Sequence, residues 1–114
     1  MSDILGLADG DNVVTSIECS TSLNIYVEKW NGIKCCIVGM ECCKLLVNSG
    51  VEFEIGEIAL KNAKEFSDAF EKEVVSENND FLEYEELIIY DAWIPDRVNL
   101  RAIAKNFELI LITI

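Results

Sequence analysis

The sequence contains no histidine, one proline, and nine lysines and arginines against 21 aspartates and glutamates. Without histidine, proton transfer near neutral pH loses its usual side chain, and Ser-His-Asp or Cys-His nucleophile arrangements are excluded. The six glycines, at positions 6, 10, 32, 39, 50 and 56, are scattered as turn residues are, and no glycine-rich phosphate loop is present. Too few cations remain for a nucleic-acid footprint. No apolar run approaches the roughly 20 residues that span a bilayer, and Met1-Ser2-Asp3 lacks the cationic start of a secretory signal. These absences predict a cytoplasmic protein that is not an enzyme, needs no cofactor, and binds neither nucleic acid nor membrane.

Five cysteines, an odd number, also speak against a secreted disulfide framework. Cys35-Cys36 and Cys42-Cys43 are adjacent pairs, and Cys19 stands alone. Neighbours on an extended strand point to opposite faces, whereas zinc pairs usually need an intervening C-x2-C turn. Reduced, buried thiols without metal are the expectation. Asp3 and Asp9-Gly10-Asp11-Asn12 are rich in oxygen but lack the spacing and terminal glutamate of a calcium loop, so a plain turn is expected there.

With 51% hydrophobic residues, the 114-residue chain has the material for one folded domain spanning 1–114. Leu23, Ile25 and Val27 alternate before Asn31-Gly32, and extended character resumes at Ile33. This predicts a hairpin closed by a type I′ turn, with residues 13–18 adding a third antiparallel strand. Residues 40–47 fit either a short helix or a strand, and a strand turning through Asn48-Ser49-Gly50 to pair with 51–55 is the favoured alternative. Across 57–77, Ala59, Ala63, Phe66, Phe70 and Val74 recur at three and four residues, predicting one long helix. Residues 86–94 read as an interior strand stopped by Pro95, and 96–105 as a short helix with Arg97 and Arg101 on one salt-bridging face. Residues 107–114 read as a strand covered on both faces. The expected fold class is therefore α+β, an antiparallel or mixed sheet with a long helix across one face.

Charge is the strongest pointer to function. Residues 52–91 hold thirteen acids against three lysines, a net of −10 within the chain's −12. Such a field repels phosphate backbones and anionic lipid while steering cationic partners inward, which makes a basic protein the natural partner. Tyr84, Tyr90 and Trp93 lie beside these acids and could anchor a protein interface that the charges steer. Tyr26 and Trp30 take the opposite parity from Leu23, Ile25 and Val27, so they face away from that core stripe. The predicted partner-binding residues are Asp68, Glu71, Glu83, Tyr84, Glu85, Glu86, Tyr90, Asp91 and Trp93.

In size, acidity and its Glu/Asp-rich residues 52–91, the chain resembles the small immunity proteins that bacteria make against secreted toxins, especially those of contact-dependent growth inhibition. The resemblance implies an inhibitor that covers the active site of a cognate basic toxin, often a nuclease. A phage-type DNA mimic that blocks a nucleic-acid-binding defence enzyme is the alternative, and would space its acids in a phosphate-like stripe. A ligand-binding module or enzyme with a cleft hidden from the sequence is a third.

Overall fold

The structure, a computed structural model, describes Leu7 and residues 11–50, 52–77 and 83–112. Eight strands run through it: β1 (Val13–Cys19), β2 (Ser22–Glu28), β3 (Lys34–Met40), β4 (Lys44–Val47), β5 (Phe53–Asn62), β6 (Glu85–Asp91), β7 (Val98–Ala104) and β8 (Asn106–Leu111). They form one antiparallel sheet in the order β4-β7-β6-β5-β1-β2-β3-β8. Among the described residues one α-helix, α1 (Ala69–Glu77), follows a 3-10 turn over Ala63–Glu65. The expected α+β fold with a long helix is thus replaced by a mainly β fold.

The sheet bends at the β1–β5 junction, where pairing is limited to Val13 with Glu54 and Val14 with Phe53. Its two halves then share one interior: Leu23, Ile25, Val27, Ile37 and Phe107 come from one half, and Phe53, Ile55, Ile58, Leu87, Ile89 and Leu100 from the other. Burying these side chains is the main source of stability, at about 25 cal/mol per Å² of apolar surface. At the far side, Lys105 joins β7 to β8 and donates its N–H to Met40 at 2.8 Å, while Cys43 donates to Ile103 at 2.9 Å. These bonds extend the β8–β3 and β4–β7 pairings to the points where the chain crosses from one half to the other.

The β1–β2–β3 meander is present as the alternation predicts, but its turn differs. Gly32 N–H bonds Lys29 C=O at 2.8 Å, Lys29 N–H bonds Ile33 C=O at 2.8 Å, and only Gly32, at φ 87°, is left-handed. This is a three-residue loop with a bulge at Gly32, not a two-residue type I′ turn. Residues 44–47 are a strand, as favoured, yet they pair with β7 and not with β5.

Residues 57–62 belong to β5, not to a helix. A bulge at Gly56 resets the alternation, so that Phe53 and Ile55 point inward before it and Ile58 and Leu60 after it. That reset hides the strand behind an accidental helical spacing. Gly56 is required there, since a Cβ would fall 2.8 Å from Ala92 Cα as well as against the Asp91 carbonyl. Residues 98–104 are likewise a strand, with Leu100, Ala102 and Ala104 facing the core and Arg101 and Ile103 facing outward, so the short helix is absent. The final strand is not covered on both faces: α1 packs on the other half of the sheet, leaving Ile110, Leu111 and Ile112 exposed.

Candidate protein-binding surface

The acidic stretch divides into a buried group under α1 and an exposed group at the opposite end of β6. Under α1, Asp68 and Glu71 form a capping box: Asp68 Oδ1 accepts the Glu71 N–H at 3.0 Å, and Glu71 Oε1 accepts the Asp68 N–H at 3.1 Å. Ser67 N–H adds a third bond at 2.6 Å. The Asp-x-x-Glu spacing at 68–71 is the sequence signal that places the helix start here and not at Glu57. Val74 then packs with Tyr84 and Ile103, and Phe66 and Phe70 close over them.

The side chains of Glu71 and Glu86 are fully buried. Arg101 reaches Glu86 Oε2 at 2.6 Å, Asp68 Oδ2 at 2.8 Å and Glu71 Oε2 at 3.2 Å, while Lys61 Nζ lies 2.6 Å from Glu71 Oε2. Burial works against the Glu71 anion, but hydrogen bonds from Glu86, Lys61 and the Ser67 and Asp68 N–H groups outweigh it and hold its pKa at about 2. Burial and the bond to Glu71 instead push Glu86 up to about 8. Glu71 and Glu86 therefore fix α1 to the sheet and present nothing to a partner. Tyr84 is buried, Glu85 accepts the Phe107 N–H at 3.2 Å, and Asp68 is engaged by Arg101. Glu83 is exposed, 3.7 Å from Lys105 Nζ. Arg101 is salt-bridged as expected, but from strand β7 and as the hub of three carboxylates; its i+4 spacing from Arg97 imitates a helix face.

At the other end of β6, Asp91 organises a turn that displays Trp93. Asp91 Oδ2 accepts the Trp93 and Ile94 N–H groups at 2.8 and 2.7 Å, and Asn99 Nδ2 donates to Oδ1 at 2.9 Å. The bond from Asn99, followed by those from Ile94 and Trp93, holds the Asp91 carboxyl below its usual range. Pro95 and the left-handed Asp96, at φ 62°, then turn the chain so that Arg97 N–H meets Ile94 C=O at 3.3 Å. On this fixed turn Trp93 is 77% exposed, an unusual position for the largest apolar side chain. Beside it, Glu57, Tyr90, Asp91 and Asp96 line a cleft of about 450 Å³.

A second cleft of about 400 Å³ lies on the other side of the β1–β5 junction, lined by Asp11, Glu28, Lys29, Trp30 and Glu52. Trp30 is 61% exposed. The two clefts are linked through Asn12, whose Oδ1 accepts the Trp30 N–H at 3.1 Å and whose C=O accepts the Ile55 N–H at 2.8 Å, Ile55 being the β5 partner of Asp91. Two exposed tryptophans among exposed acids thus flank one junction. Of the predicted binding residues, Tyr90, Asp91 and Trp93 belong here; Trp30, Glu57 and Asp96 join them from outside the predicted set.

No disulfide joins the five thiols; Cys35 and Cys36 are buried, whereas Cys19 and Cys43 are exposed, which departs from the expected burial of all five. Asp3, Asp9 and Gly10 lie outside the described residues, and Asp11 lines the Trp30 cleft. Among the described residues no helix is long and apolar enough to cross a membrane. Comparison of the chain with protein-family models, with curated proteins and with solved structures finds no match.

Proposed function

We propose that this protein is a stoichiometric inhibitor that binds a basic protein through the Trp30 and Trp93 clefts and acts without catalytic turnover. The observation that carries this is the exposure of Trp93 on a hydrogen-bonded turn whose neighbouring residues Asp91 and Asp96 line, with Glu57, an acidic cleft. A pre-ordered aromatic anchor loses little conformational freedom on binding, and surrounding acids steer a cationic partner toward it. The partner class that fits is a cationic toxin domain, such as a nuclease, whose phosphate-binding residues meet the acids of the two clefts. Immunity is favoured over DNA mimicry because Glu71 and Glu86 are withdrawn from the surface, which breaks the stripe of acids that a mimic needs.

The test compares affinity capture from the source cells on wild-type protein and on a W93A/E57K/D96K variant. A basic protein retained by the wild type, released by salt and lost from the variant supports the proposal, and the captured protein's activity should fall with one equivalent of inhibitor. Equal capture by both proteins would place the binding surface elsewhere.

A further inference from the structure

Five ionisable side chains meet beneath α1. Asp68 and Glu71 come from the helix start, Lys61 from β5, Glu86 from β6 and Arg101 from β7. Lys44 of β4 closes the edge, bonding the Phe70 carbonyl at 3.0 Å and pairing with Glu73, and the Phe70 ring lies 4.5 Å from both Lys44 Nζ and the Arg101 guanidinium. Fully ionised, the central group sets three carboxylates against two cations; Asp68 is half-exposed but shares Arg101 with the sealed Glu71 and Glu86, so two buried anions are left under-compensated. An unpaired buried charge is costly enough that the group neutralises instead.

The oxygens identify where a proton resides. Glu71 Oε1 accepts two backbone N–H groups, and Oε2 accepts from Lys61 and Arg101. Glu86 Oε2 accepts from Arg101 Nε at 2.7 Å. Glu86 Oε1 is buried and receives no hydrogen bond, with Lys61 Nζ no nearer than 3.9 Å. An acceptor without a donor beside an anion rich in donors is accounted for if that oxygen is itself a hydroxyl.

We propose that Glu86 is a neutral carboxylic acid whose Oε1–H donates to the Glu71 carboxylate, and that this shared proton clasps α1 to the outer face of β5, β6 and β7. Loss of the proton places two anions in contact under the helix, so α1 loosens while the core between the sheet halves stays intact. The sheet core takes no part in the titration, because its side chains point to the opposite face.

The experiment follows the Glu86 side-chain carboxyl carbon by NMR through a pH titration, together with hydrogen exchange of the α1 amides and the thermal midpoints of E86Q and E71Q. The Glu86 carbon should titrate with a midpoint near 8, and the α1 protection factors, corrected for base-catalysed intrinsic exchange, should fall as pH rises from the ordinary glutamate range toward 8, ahead of those of β2 and β3. E86Q, whose amide can donate to Glu71 and accept from Arg101, should keep its midpoint at neutral pH and lose the alkaline loosening. E71Q should shift the folding equilibrium about a hundredfold or more toward unfolding, since it strips the cations of their shared anion. A Glu86 carbon titrating in the ordinary carboxylate range would overturn the proposal, as would α1 protection factors that stay constant between the ordinary glutamate range and pH 8. If E86Q fails to fold, these wild-type readouts decide.

Discussion

Asn12 and Trp30 are joined by a hydrogen bond that fastens the first hairpin turn to the β1–β5 junction: Asn12 Oδ1 accepts the Trp30 N–H at 3.1 Å from a fully buried side chain. The Asn12 amide also donates to the Leu7 carbonyl. Asn12→Ala leaves these groups without their partner, so it should lower stability by roughly 1–3 kcal/mol. In a Trp93→Phe background, Trp30 fluorescence should also change in the folded state. A variant with wild-type stability and an unchanged spectrum would show that this bond does not hold the turn.

Stability should peak between the windows set by the two buried glutamates. Glu71 has its folded pKa lowered to about 2 from 4.5, so the stability it contributes is present above 4.5 and lost as pH falls toward 2. Glu86 has its folded pKa raised to about 8 from 4.5, so its contribution is complete below 4.5 and lost as pH rises toward 8. Denaturant unfolding across this range should therefore give a maximum near the ordinary glutamate pKa with a decline on both sides. E86Q should abolish the decline on the alkaline side alone.

The five thiols should separate by reactivity. Cys19 and Cys43 are exposed and should react first with a thiol reagent; Cys42, whose pKa burial raises to about 11, should react slowly. Cys35 and Cys36 are buried within β3, and burial raises the pKa of each, so both should stay protected until the sheet opens. Mass spectrometry of timed labelling distinguishes the three classes. Early modification of Cys35 would contradict the packing of β3 against the core.

Much of the strand content was legible from alternation alone. Leu23, Ile25 and Val27 locate β2 because one face is buried and the period is undisturbed. The Gly56 bulge defeats the same reasoning in β5 by shifting the inward parity by one residue. Burial on both faces defeats it in β7: Ile103 is covered by α1 on one side while Ala102 and Ala104 meet the core on the other. Local acidity did not reveal which acids face solvent. Glu86 and Glu83 are three residues apart in one acidic run, yet one is sealed under a helix and the other is exposed, because the strand direction and the docking of α1 are set by distant residues. Trp93 was legible as a candidate anchor; the turn that displays it depends on Asp91 and Asn99, which meet only in the folded sheet.

The most direct test of binding by the tryptophan-bearing clefts is the stopped-flow association rate of the captured basic partner at several ionic strengths. Wild-type protein should associate rapidly in low salt and lose that advantage as salt rises, because exposed complementary charges act chiefly on the encounter. E57K/D96K should slow association and flatten its salt dependence, W93A should chiefly accelerate dissociation, and E83K, remote from the clefts, should change neither. An E57K/D96K variant that associates with wild-type rate and salt dependence, alongside an E83K variant that does not, would contradict this assignment and move the binding surface to the α1 side of the molecule.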